Sequence, residues 1–158
     1  MDQAVRVVLD TNVLLSLFVF ADSRYAPLRE RLESGAWRAL TDERCLGEFR
    51  RVLAYPMFSL DASAQIAAFG AYRQFAECVS PATGLKVVLP LCTDGDDQKF
   101  LEVARDGHAN WLVTSDKALL KLARRRGLAQ LFAIVTPQRA LETEPARLAT
   151  SASEQQVV

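Results

Sequence analysis

Five short apolar runs, at residues 6–9, 37–40, 86–89, 111–114 and 133–136, are each separated from the next by a stretch long enough to hold a helix. This alternation constrains the fold more than any other feature. Strands joined by helical crossovers do not pair as hairpins; they lie parallel, with helices covering both faces of the sheet. The first run, RVVL, carries apolar side chains on both alternating positions, as a central strand buried on both faces requires. The expected architecture is a three-layer α/β/α fold with a central parallel sheet of about five strands. Half of the 158 residues are hydrophobic, enough for one domain with a real core.

Helix punctuation supports this order. Ser23 is placed to cap RYAPLRERLES, which Gly35 ends; Asp42 caps a helix running to about Ala54, before Pro56. Asp61 opens ASAQIAAFGAYRQFAECV, where Ile66, Phe69, Tyr72, Phe75 and Ala76 form a stripe suited to core packing. A further helix is expected from about Asp96 to Arg105, closed by Gly107, and a short basic one over 116–126, closed by Gly127. Pro137 starts a last turn of helix. Residues 1–143 therefore read as a single domain. Residues 144–158, rich in Pro, Ser, Thr and Gln, read as a loose tail.

Charge and cysteine content narrow the function classes. Nineteen basic residues balance nineteen acidic ones, which argues against a broad electrostatic footprint for nucleic acid but not against a local one. Three cysteines without CxxC spacing suggest neither a disulfide framework nor a zinc site. Cys45 and Cys78 fall in stretches read as helix and are expected to be small core residues. The apolar segment 13–21 is too short to span a bilayer, and the start, MDQAVRV, has no signal-peptide pattern. A reducing, cytoplasmic setting without membrane association is expected.

Four acids stand just after an apolar run or on a helix that follows one: Asp10 in VRVVLDTN, Glu48 in CLGEFRRVL, Asp97 in DGDDQKFLEVA and Asp116 in WLVTSDKALL. Each alone has an ordinary use. Asp10 and Asp116 could cap helices, Glu48 is spaced for surface pairs with Arg44 and Arg51, and the 94–97 acids suit a helix N-terminus. Together they converge on the carboxyl edge of the sheet, where open α/β folds place their ligand crevice. Carboxylates gathered without a nearby base serve mainly to hold a hard divalent cation. Close pairs also repel by about 4 kcal/mol at an effective dielectric near 20, so one is expected to hold a proton when no metal is bound.

The segments VVLDTNVLLS, LTDERCLGEFRRVLAYPMF and DGDDQKFLEVARDGHANWLVTSDKALL, in this order, resemble the PIN-domain family of metal-dependent ribonucleases, and within it the VapC-like toxins of bacterial toxin–antitoxin pairs. By that resemblance Asp10, Glu48, Asp97 and Asp116 are the catalytic acids and metal ligands. Asn12, Thr114 and Ser115 are their polar supports. The family often has proline where Gly95 stands, which leaves Asp94 and Asp96 as alternatives to Asp97. The resemblance implies Mg²⁺ or Mn²⁺ as cofactor, with Asp10 and Asp97 as direct ligands and Glu48 and Asp116 acting through water or a second ion. It implies hydrolysis of RNA to a 5′-phosphate and a 3′-hydroxyl, a small antitoxin partner and a homodimer.

Competing chemistries fit less well. A phosphatase of the haloacid-dehalogenase type needs a second aspartate where Asn12 stands. A serine or cysteine hydrolase needs a histidine base, and His108, the single histidine, sits in a helix-ending turn. The serious alternative is a PIN-like module that binds nucleic acid or protein without catalysis, which loss of an acid would favour; all four positions are filled. RNA contact would fall to local cations: Arg50 and Arg51 after Glu48, and Lys117, Lys121 and Arg124 to Arg126 on the basic helix, although cations near a helix C-terminus also offset its dipole. Trp37 and Trp111 are expected in the core rather than as stacking platforms.

Overall fold

The computed structural model describes residues 4–84 and 86–143. Five parallel strands form one sheet: β1 (Val5–Leu9), β2 (Trp37–Thr41), β3 (Ala76–Cys78), β4 (Trp111–Val113) and β5 (Ala133–Val135), in the order β3-β2-β1-β4-β5. The helices are α1 (Thr11–Phe18), α2 (Ala26–Ser34), α3 (Glu43–Leu53), α4 (Ala62–Arg73), α5 (Gln98–Asp106), α6 (Lys117–Leu120) and α7 (Arg126–Ala129), with α8 over 137–143. The expected three-layer architecture is the one observed.

Alternation along the strands builds two cores. Val5, Val7 and Leu9 of β1, with Trp37, Ala39, Trp111 and Val113, face α1 to α4. Val8, with Leu40, Leu112 and Ile134, faces α5 and the segment 119–132. In the first core Trp37 and Trp111 meet edge to face with centroids 5.7 Å apart, and Phe49 meets Tyr72 the same way. Both tryptophans are buried, as expected from their flanking of strands.

The third strand is not where the sequence placed it. Residues 86–89 are irregular: Leu89 is buried but Val87 and Val88 are exposed. The strand is Ala76–Cys78, inside the stretch read as the end of a helix. That helix stops at Arg73, and the chain turns through Phe75, whose N–H donates to the Tyr72 carbonyl, to lie beside β2. Only one face of this edge strand meets the core, so it lacks a continuous apolar signal. Cys78 is accordingly exposed rather than a core residue, while Cys45 and Cys92 are buried. Ile66, read as part of the core stripe, is 72% exposed.

Smaller differences concern helix ends. Asp22, not Ser23, supplies the cap before α2, on a 3-10 turn over Ser23–Tyr25. The single basic helix expected over 116–126 is divided into α6, a 3-10 turn over Lys121–Arg124, and α7, with Arg125 extended between the last two. Asp42 and Asp61 cap α3 and α4, and Gly35 ends α2 in the left-handed conformation, as expected. The tail expected at 144–158 lies outside the described residues. Among the described residues no helix is long and apolar enough to cross a membrane.

Candidate active site

The chain builds β2 and β3 on one side of β1 and β4 and β5 on the other, so the sheet's topological switch point lies between β1 and β4. Crossover connections leave these two carboxyl ends in opposite directions, which opens a crevice there. Asp10 follows β1 directly. Its carboxylate accepts from the Val13 N–H at 2.9 Å, capping α1, and also from the Thr114 hydroxyl. Thr114, which follows β4 and is fully buried, accepts in turn from the Asp116 N–H at 2.9 Å. Asp116 caps α6 through Oδ1, which accepts from the N–H groups of Ala118 and Leu119. One hydroxyl thus couples two acids from distant parts of the chain. The support expected of Asn12 for Asp10 falls instead to Thr114; Asn12 is exposed and lines the cleft. Ser115 is exposed and is not among the residues that line the cleft.

Glu48 reaches the same cleft from the middle of α3. It does not face Arg44 or Arg51: Arg44 pairs with Asp42 and Glu102, while Glu48 Oε1 lies 2.7 Å from the Lys99 ammonium and Oε2 accepts from the Thr11 hydroxyl. Asp97 arrives at the N-terminus of α5 with helical backbone angles and no capping bond from its side chain. The cap belongs to Asp94, whose carboxylate accepts from the Asp96 N–H at 3.0 Å and so opens the 3-10 turn over Gly95–Asp97. Asp94 makes this bond while remaining exposed to solvent. Gln98 holds the turn in place, its side chain bonding the Cys92 N–H and the Pro90 carbonyl.

Asp10, Glu48, Asp97 and Asp116 all line one cleft of about 300 Å³, together with Thr11, Asn12 and an apolar rim of Tyr55, Met57 and Phe58. Burial pushes the Asp10 carboxyl up to about 6, against the hydrogen bonds from Thr114 and Val13, with Asp116 and Glu48 adding to the rise. Asp97 is also pushed up to about 6, first by burial and then by the charges of Asp116, Asp94, Asp10 and Glu48. Four carboxylates thus share the cleft, and in the described ion pairs only Glu48 among them is met by a cation, Lys99.

A family model described as PIN domain matches residues 6–118, most of the chain, a span within which the four acids lie. The chain is a PIN-domain protein. PIN domains are generally nucleases, and this chain has that nuclease-type fold. Comparison with curated proteins gives no match.

PIN domains usually employ Mg²⁺ or Mn²⁺, and the donors here suit such an ion: hard carboxylate oxygens with unneutralised charge in a small cleft. Among the described residues no three His, Cys, Asp or Glu side chains are gathered closely enough to hold a metal ion between them. That is compatible with Mg²⁺, which retains several waters and is typically held by one or two carboxylates together with substrate phosphates.

Two residues at this site carried no functional reading in the sequence. Thr11, inside LDTN, and Lys99, inside DDQKF, both bind Glu48; their position beside the acids was the available signal. The expected RNA contacts Lys117 and Lys121 are exposed on and after α6, next to Asp116. Arg50 is exposed but lies over the Phe69 ring at 4.4 Å, and two residues of helix turn it about 200° from Glu48.

Proposed function

We propose that this PIN-domain protein is an endoribonuclease that hydrolyses RNA phosphodiester bonds with Mg²⁺ or Mn²⁺. The observation that carries this reading is the meeting of Asp10, Glu48, Asp97 and Asp116, from four separate chain segments, in one cleft at the switch point of the sheet. Asp10 and Asp97 would hold the ion directly, with Asp116 and Glu48 acting through water. When bound, the ion would polarise the phosphodiester and lower the pKa of the attacking water. Thr114 orients Asp10, and Thr11 orients Glu48. Lys117 and Lys121 offer phosphate contacts outside the cleft. The exposed faces of Tyr55 and Met57 on its rim offer an unpaired base an apolar surface, which favours single-stranded RNA.

The test is cleavage of single-stranded RNA by purified protein. Cleavage in Mg²⁺ or Mn²⁺ that stops with excess chelator supports the reading; cleavage that persists in EDTA overturns it. We further propose that the protein is the toxin of a toxin–antitoxin pair, acting in the cytoplasm as a homodimer and held inactive by a small antitoxin. This rests on the toxin-like wording of its motifs. Growth arrest on induced expression, relieved by the product of a small adjacent gene, checks the pairing, and sedimentation velocity checks the dimer.

A further inference from the structure

Lys99 is the one cation whose charged group reaches a candidate catalytic acid in the described ion pairs. It stands in the first turn of α5, and its ammonium crosses to α3 to meet Glu48 Oε1 at 2.7 Å. The two side chains are only 12% and 18% exposed. The same ammonium also donates to the Asp96 carbonyl one turn back and lies 4.9 Å from the Phe100 ring. A long, flexible lysine held by a carboxylate, a carbonyl and a ring occupies a defined position, unlike a mobile surface pair. The other Glu48 oxygen is taken by the Thr11 hydroxyl.

We infer that Lys99 serves as a tethered cation that fills the Glu48 side of the cleft, so that the site takes one divalent ion, held on the Asp10 and Asp97 side, rather than two. The inference rests on the functional reading above and specifies its metal stoichiometry. Both Glu48 oxygens already accept a hydrogen bond, one from a full positive charge. A divalent ion on that carboxylate would have to expel the ammonium or lie within a few ångströms of it, where like charges in a partly shielded site repel strongly. Asp97 is in the opposite condition: its side chain makes no capping bond and lines the cleft together with Asp10. Lys99 is thus a positioning residue. It holds Glu48 across the cleft and neutralises it, and so sets which acids remain available to metal.

Mn²⁺ binding to the full chain, counted by electron paramagnetic resonance and titration calorimetry, tests this. The wild type is expected to bind one Mn²⁺. Asp10→Asn is expected to weaken it by about tenfold or more, and Glu48→Gln to change it by less than about threefold. Lys99→Met exposes the Glu48 charge and should add a second Mn²⁺. Combining it with Glu48→Gln should remove that second ion, and Lys99→Arg should keep the count at one. Two ions in the wild type, or a Glu48→Gln defect equal to that of Asp10→Asn, would overturn the inference while leaving the nuclease reading intact. So would a Lys99→Met variant that loses thermal stability yet still binds a single ion, because that is the behaviour of a merely structural pair. A wild type that neither binds Mn²⁺ nor cleaves RNA defeats the nuclease reading and this inference with it.

Discussion

Thr114 is the residue on which two of the four carboxylates depend. Its hydroxyl donates to Asp10 and accepts from the Asp116 N–H, and it is fully buried. Valine has nearly the same shape and neither bond, so Thr114→Val strands the partly buried Asp116 N–H and leaves Asp10 with only its bond from the Val13 N–H. The expected cost is about 1–3 kcal/mol, read as a lower urea midpoint. Cleavage should fall mainly in kcat, and Thr114→Ser should restore both.

Asp10 gives a prediction with a definite sign. Its carboxyl is raised from 3.8 to about 6, so the folded protein binds this proton more tightly than the unfolded chain does. The stability this contributes is complete below about pH 4 and is lost as pH rises through about 6. For a group this buried the change is on the order of 2–3 kcal/mol. Metal-free protein should therefore melt at a lower temperature at pH 7 than this group alone would set at pH 4. Asp10→Asn should flatten that slope and raise the melting temperature at pH 7, because asparagine keeps the cap without the charge. The same variant should be inactive. An unchanged melting profile together with normal cleavage would reduce Asp10 to a turn residue. Since protons compete with metal at Asp10 and Asp97, wild-type cleavage should rise with pH through about 6.

At this scale the sequence was legible wherever an acid closed an apolar run, and it was silent on partners. Nothing in the spacing of Glu48 told that its charge would be met by Lys99, 51 positions away, rather than by an arginine on its own helix. A helical pair can be read from the sequence because its geometry is local; this one depends on how α3 and α5 pack.

The turn that delivers Asp97 shows how much an element end can decide. Asp94 holds the cap, the Asp96 N–H is the donor, and Asp97 is left free. Asp94→Asn should be nearly neutral, because asparagine caps as well, whereas Asp94→Ala should cost about 0.5–2 kcal/mol. Asp97→Asn should abolish cleavage without loss of fold. Full activity of Asp97→Asn beside an inactive Asp94→Asn would put the catalytic acid three residues earlier. Gly107 marks the other end of α5. A methyl group there would lie 2.8 Å from Val79 Cγ2, 2.9 Å from Leu40 Cδ1 and 3.0 Å from the Val103 carbonyl. Gly107→Ala should therefore cost about 1–3 kcal/mol, with a lower urea midpoint and an unchanged m-value.

Four of the five strands could be found from apolar runs, and β3 could not. Its central Glu77 forms ion pairs with Arg6 and Arg38, the kind of charge that edge strands carry. The β-branched pair Val87–Val88 drew the assignment to a segment that meets no neighbouring strand. Propensity favours a strand there; the sheet's edge had already been filled by the chain leaving α4.

Across the whole molecule, the first and fourth strands are partners, and the Thr114–Asp10 bond that links their ends joins residues 104 positions apart. Synthesis at about 5–20 residues per second would separate the emergence of those partners by roughly 5–20 s. During that interval one flank of β1 has no strand to pair with, and the crevice has only one wall. A ribosome carrying a half-made copy thus holds a blade without an edge: Asp10 and Glu48 are already translated, while Asp116 and its clasp on Asp10 are not. With the proposed activity, the chain cannot cut RNA near its own site of manufacture until most of its length has emerged.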